Sequence, residues 1–378
     1  MSVNQPALDE STTQSSLFSK EKLVKYFKSN LCMLPTPYTQ TETNRKSFQE
    51  THLEILKRVT LAFFCLGALS LLGELDRCVT EENKHDWIEW IYAQQVLPTG
   101  QEPDANEALC GFRGSSWSGR KFDPHAETCK FQHYDSSHIA NTYTALLNLL
   151  ILGDDLSRVN RKAIVKTLSL LQQEDGSVAP TFGSLERDVR FIFCACSISY
   201  ILNDWSGINI EKTVQHIKQL QSFEYGVAQC PDQEAHGGST FCGIAALALM
   251  DKLDEGIVNR DELVKWCLFR QIKGFQGRPN KLEDVCYGFW VGASLDILGS
   301  FDLVNHEALR EFQSKCQPKM GGFGKDPESY PDLLHSYMGV AVLSLMKEPG
   351  IEPIHAALNV PLSAYEHLKE NSVFWKQP

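Results

Sequence analysis

The chain has 378 residues, 43% of them hydrophobic, enough for a large core, and length alone would allow two or three domains. Its formal net charge of −11 excludes a nucleic-acid sheath, which needs Lys and Arg spread over a broad surface, so any anionic ligand must meet a local basic site. Twelve cysteines without one C-x-x-C spacing exclude zinc-finger and thioredoxin frameworks and read as reduced thiols, most of them small core residues.

Residues 1–18 start polar and acidic, without the basic start and apolar stretch of a signal peptide. They read as a disordered tail ahead of one domain over 19–378, with a cytoplasmic location expected. The longest apolar run, Thr60 to Gly73, falls short of the roughly 18–20 residues that cross a bilayer, so no membrane span is expected. From there on the chain repeats. Gly-centred turns recur at Gly111, Gly176, Gly226, Gly274 and Gly322, spaced 65, 50, 48 and 48 residues apart, the mark of stacked supersecondary units.

Before most of these turns lie one-sided amphipathic helices, with Ile164, Leu168 and Leu171 in one, Val214, Ile217 and Leu220 in the next, and Leu309, Phe312 and Cys316 later. After each turn comes a segment apolar nearly all round, such as "DVRFIFCACSISYIL" or "STFCGIAALALMDKL", which has to be buried on every side. Alternating amphipathic outer and apolar inner helices describe an all-α fold, an α/α barrel or toroid of about five to six helical hairpins. No period-two pattern is long enough to compete.

Polar residues with chemistry fall near the start of the inner helices. Arg190, Cys286 and His335 stand 14, 12 and 13 residues after their turn glycines, and His236 stands 10 after its own, just ahead of its helix. Equivalent positions in a closed barrel meet at one mouth, where free N–H groups at helix starts favour anions. Asp284, Cys286 and His335 offer an oxygen, a sulfur and a nitrogen ligand, a set that suits zinc with one open position. Around them His236, Arg278, Lys281 and Tyr287 make a phosphate or diphosphate pocket. Trp290, Phe193 and Phe241, with small Cys242, line an apolar tube or are plain core. Asp154 and Asp155 in "GDD" lack the third Asp of a metal-diphosphate motif and read as a helix cap.

"HGGSTFCGIAAL", "GRPNK", "DVCYGFWVGASL" and "PDLLHSYMG" resemble the β subunits of protein prenyltransferases over about residues 20–360. "ETNRKSFQETHLEILKRVTLAFF", "WIYAQQVLPT", "CGFRGSSW" and "ILGDDLSRVN" look most like the type I geranylgeranyl-transferring group. The resemblance implies pairing with a separate helical-repeat α subunit and transfer of a C20 group from geranylgeranyl diphosphate to the cysteine of C-terminal CaaX sequences. Rho-, Rac- and Rap-type small GTPases and G-protein γ subunits would be the substrates. It implies Asp284, Cys286 and His335 as zinc ligands, and His236, Gly237, Gly238, Arg278, Lys281 and Tyr287 at the diphosphate. Arg190, Cys242 and Trp290 would lie near the prenyl chain, with Thr60, Phe64 and Leu334 at the chain end and the CaaX pocket. Lys325 stands ten residues before His335, where farnesyl-transferring relatives carry a magnesium-recruiting Asp, so Mg²⁺ should be dispensable. The other readings are a Rab-type geranylgeranyltransferase or farnesyltransferase β subunit and a helical-repeat scaffold. A triterpene cyclase is disfavoured by the lack of a D-x-D-D acid.

Overall fold

The computed structural model describes residues 18–31, 58–99, 106–115 and 135–376. The expected tail up to residue 17, the "ETNRKSFQETHLEILK" segment and the end of "CGFRGSSW" lie outside the described residues. Phe18, placed in the tail by sequence, is buried and meets Phe323 edge-on, ring centroids 6.2 Å apart, so the folded unit starts no later than residue 18.

Outer and inner helices alternate along the chain. The outer set is α1 (Lys20–Leu31), α3 (Glu81–Tyr92), α5 (Arg161–Leu171), α7 (Ile210–Leu220), α9 (Arg260–Leu268) and α11 (His306–Lys315). The inner set is α2 (Arg58–Leu71), α4 (Ile139–Ile151), α6 (Val189–Ile201), α8 (Gly237–Leu249), α10 (Val285–Ile297) and α12 (Leu333–Leu345), and α13 (Leu362–Asn371) closes the chain. Among the described residues the expected five to six hairpins number six. In α7 one stripe, Thr213, Val214, His216, Ile217 and Leu220, is buried while the charged face stays out. Four successive outer helices begin at an asparagine, Asn160, Asn209, Asn259 and Asn305, whose side chain accepts the N–H three residues on. Asp154 and Asp155 are therefore not the cap of α5. They fold the preceding turn, accepting the N–H of Leu156 and of Ser157.

Each inner helix packs on the next, and α12 packs back on α2, closing the ring. Closure needs a glycine: a Cβ on Gly67 would stand 2.9 Å from the Tyr337 ring. Each inner helix contributes one ring to a buried aromatic belt, Phe63, Tyr143, Phe193, Phe241, Phe289 and Tyr337. Neighbouring centroids lie 6.5, 5.3, 5.3 and 5.3 Å apart from Phe63 to Phe289, and Tyr337 returns to Phe63 at 4.9 Å. Each ring stands five or six residues into its helix, and helix starts meet one another, His335 with Asp284, Tyr287 with His236 and Thr60 with Asn141, so the inner helices run parallel with their N-termini at one end. Phe241 has no accessible surface, so it is belt rather than the wall of an open tube. A strap after α12 supports two belt members, as Tyr143 Oη donates to Leu358 O at 2.7 Å and Tyr337 Oη to Asn359 O at 2.9 Å. Among the described residues no helix is long and apolar enough to cross a membrane.

Candidate functional site

The inner helices start on His138, Asp188, His236, Asp284 and Asp332, five N-cap residues spaced 50, 48, 48 and 48 apart. Each side chain accepts a first-turn N–H: those of Ala140, Arg190, Gly238, Cys286 and His335 respectively. Sequence reasoning singled out His236 and Asp284 but missed that one capping position serves five of the six inner helices, and so missed Asp188 and Asp332. The 48-residue spacing was the available signal.

At the mouth, one ligand atom each from Asp284, Cys286 and His335 lies within 4.8 Å of the others. His335 is held from both sides, with Nε2 3.4 Å from Asp284 Oδ1 and Nδ1 2.6 Å from Asp332 Oδ2. Asp332 Oδ1 also accepts the His335 N–H at 2.9 Å, so that carboxylate caps the helix and orients the ring together. Burial opposes a charge on His335, but the two carboxylates outweigh it and carry its pKa up to about 9. Burial and the neighbouring Asp284 push the Cys286 thiol well above its usual range, against the opposing influence of the Trp290 indole and the Lys325 charge. Lys325 Nζ stands 3.9 Å from Asp284 Oδ2. With Nδ1 tied to Asp332, Nε2 is left for a cation beside a thiol and a carboxylate, and the donor set fits a divalent metal of borderline softness.

His236 and Tyr287 form the second group, with His236 Nε2 2.9 Å from Tyr287 Oη. His236 Nδ1 accepts the Gly238 N–H, and burial together with Arg278 lowers the pKa of the ring. The neutral imidazole then carries its proton on Nε2 and donates to Tyr287 Oη, leaving the phenolic O–H to donate outward. Burial raises the phenol's pKa, so it keeps that proton. Gly277 lets the ring lie against its loop, since a Cβ there would sit 2.2 Å from Tyr287 Cζ.

Some expectations need correction. The Gly237 N–H is taken by Gly277 O at 2.8 Å and the Gly238 N–H by His236, so neither offers a free donor to an anion. Their value is clearance: a Cβ on Gly237 would press Val291 at 2.9 Å, and one on Gly238 the His236 ring at 3.3 Å. Arg278 is half exposed and paired with Glu234 at 3.2 Å, while Arg190 pairs with Asp188 at 2.9 Å. The Lys281 backbone closes the same loop. Trp290 packs on Phe241, centroids 5.0 Å apart, and Cys242 is buried on the neighbouring helix with Arg190 close enough to act on its thiol. Thr60, expected at the chain end and the CaaX pocket, lies in the first turn of α2, at the same end as the candidate metal triad. Its hydroxyl donates to Asn141 Oδ1 at 3.4 Å. Phe64 tilts on Tyr337, centroids 5.7 Å apart, and Leu334 is 37% exposed at the start of α12.

A parallel ring of six inner helices whose capped ends hold a potential metal triad beside the His236–Tyr287 pair defines a class. The profile of the prenyltransferase alpha-alpha toroid domain matches residues 18–360, and the chain belongs to that family. Within it, the chain is 39% identical to the geranylgeranyl transferase type-1 subunit beta of Dictyostelium discoideum over 91% of this chain and 96% of the relative. It is 36% identical to the Arabidopsis thaliana protein of the same name over 93% and 92%. Among solved structures it superposes on Candida albicans protein geranylgeranyltransferase-I complexed with GGPP, TM-score 0.78 at 25% identity, covering 95% of this chain and all of that one.

Proposed function

We propose that the chain is the catalytic β subunit of a heterodimeric, zinc-dependent protein geranylgeranyltransferase of type I. It moves a C20 group from geranylgeranyl diphosphate to the cysteine of C-terminal CaaX sequences, X often Leu, of proteins such as Rho-family GTPases. The observation that carries this reading is the convergence of Asp284, Cys286 and His335 within 4.8 Å at the capped end of the ring, next to the His236–Tyr287 pair. Asp284, Cys286 and His335 would hold Zn²⁺, which when bound favours the thiolate form of an incoming cysteine at neutral pH.

The rest of the chemistry falls to the chain's own groups. As the substrate sulfur bonds to C1, the C1–O bond breaks and its electron pair leaves with the diphosphate, while the thiol proton goes to solvent. Negative charge grows on the leaving oxygens. Tyr287, kept protonated and fed by His236 Nε2–H, is a donor aimed at that charge, and Arg278 and Lys281 add cationic character. Lys325, beside Asp284, serves as a fixed cation where relatives would recruit Mg²⁺. The mouth-side loops carry strongly exposed apolar residues, Leu185, Phe223, Leu282 and Tyr330, at 92, 90, 86 and 85%, one ahead of each of the last four inner helices. They provide a face for the α subunit.

The test is co-expression with a candidate α subunit and assay of prenyl transfer from geranylgeranyl or farnesyl diphosphate to CaaX peptides ending in Leu or Met. Transfer of the C20 group to the Leu peptide is expected. Transfer only to a protein presented by an escort, or only of the C15 group, overturns the type I reading.

A further inference from the structure

The anion pocket is neutralised from within. Arg190 faces Asp188 and Arg278 faces Glu234, so both arginines that could meet a diphosphate already have a carboxylate partner. The two acids are held very differently. Asp188 is buried, caps α6, and also accepts from Gln229 Nε2 at 3.1 Å, so Arg190 has a fixed counter-ion. Glu234 is 51% exposed, and Arg278 is its one ion-pair partner among the described residues.

A second guanidinium lies within electrostatic range of the same acid. Arg270 is 9% exposed, stacks on Trp266 with its guanidinium 5.1 Å from the ring centroid, and donates from Nε to Trp266 O at 3.3 Å. Its Nη1 is buried without a hydrogen-bond partner. Glu224 and Glu234 both favour its charge against the burial that disfavours it, and Glu224 is engaged with Trp266 Nε1 at 3.3 Å. A buried donor left unpaired is costly, so a carboxylate able to reach it gains by doing so.

We propose that Glu234 is the switching counter-ion of the anion site, holding Arg278 while the pocket is empty and passing to the unpartnered Nη1 of Arg270 when a diphosphate draws Arg278 away. Glu234 is a positioning residue, since it acts through Arg278. The exchange gives both arginines an anionic partner once diphosphate is bound, and the returning carboxylate competes the cleaved diphosphate off Arg278. This rests on the reading of the site as a diphosphate pocket, and it adds a residue with no part in that reading.

The experiment uses the αβ complex, with inorganic diphosphate as the probe in calorimetry and steady-state kinetics alongside. Glu234→Gln should tighten inorganic diphosphate about three- to fivefold, the fold-change of a half-exposed ion pair, and strengthen its product inhibition equally, with zinc content unchanged. Arg270→Gln should weaken diphosphate binding in the parent but have no effect in the Glu234→Gln background, because the relay needs both ends. A purely structural role for either residue would move melting temperature and leave this coupling at zero. Unchanged or weaker diphosphate binding in Glu234→Gln overturns the proposal, as does an Arg270→Gln effect of equal size in both backgrounds. A parent complex that neither transfers a prenyl group nor binds diphosphate overturns the functional reading instead.

Discussion

Replacing Asp332 by Asn isolates how the helix cap and the metal site share one side chain. Both carboxylate oxygens act as acceptors, Oδ1 for the His335 N–H at 2.9 Å and Oδ2 for Nδ1–H at 2.6 Å. An amide supplies one acceptor and one donor, so it cannot satisfy both. If its carbonyl keeps the cap, its NH₂ faces Nδ1 and drives the ring proton to Nε2, the atom turned toward Asp284 and Cys286. If the carbonyl turns to Nδ1 instead, the cap is lost, at a cost of about 1 kcal/mol. Loss of such an outer partner lowers metal affinity about 10–100-fold, or about 1.4–2.7 kcal/mol. Asp332→Asn should therefore weaken zinc binding by at least about tenfold. Asp332→Ala imposes no tautomer, and should harm the metal less and the melting temperature more. Titration of the purified complex against a chromogenic zinc chelator, with thermal melts alongside, measures both. Zinc held as tightly by the Asn variant as by the parent would refute the reasoning, and equal zinc loss in Asn and Ala would refute its tautomer part.

Cys286→Ala should lose zinc and turnover while keeping most affinity for the prenyl diphosphate; a full zinc complement by atomic absorption would remove Cys286 from the ligand set. The parent should turn over without added Mg²⁺ and with a low concentration of EDTA, and Lys325→Asp should create a magnesium requirement. A parent that needs magnesium contradicts the role given to Lys325. Thr60→Trp puts an indole where the hydroxyl meets Asn141 and should favour the C15 over the C20 diphosphate. Five carbons buried at about 0.8 kcal/mol each set an upper bound of roughly 4 kcal/mol on the shift, and an unchanged C20 to C15 ratio in single turnovers removes Thr60 from chain-length choice. In the metal-free chain His335 titrates near 9 when folded against about 6.5 unfolded, so the stability it adds is complete below about pH 6.5 and is lost as pH rises through 9. Urea unfolding should show a loss of up to about 3 kcal/mol over that window, and His335→Gln should abolish it. The same slope in that variant would assign the effect to another group.

The repeat, the inner and outer helices and the grouping of Asp284, Cys286 and His335 were legible because each depends on local pattern: apolar period, turn glycines, and equal distance from those turns. What stayed illegible depends on contacts between repeats. Nothing near Gly237 says that its N–H is taken by Gly277 O, forty residues on, or that Glu234 holds Arg278. The belt was half visible: Phe193 and Phe241 stood out as aromatics, but the shared height of Tyr143, Phe289 and Tyr337 emerges only when the inner helices are set parallel. Thr60 was assigned by resemblance to farnesyl-specific relatives, and its meeting with Asn141 joins the starts of two separate inner helices, which no local pattern announces.

Ring closure between α2 and α12 also governs the order in which the molecule can come into being. During synthesis the first five inner helices emerge with one apolar flank bare, and the seam cannot shut until residue 345 has left the ribosome. The last member of the candidate metal triad, His335, lies on that same final helix. A nascent or truncated chain thus has an unfinished wall and an unfinished site together, and it presents sticky helices to chaperones until the last repeat arrives. Premature termination anywhere before α12 should give insoluble protein rather than a weak enzyme.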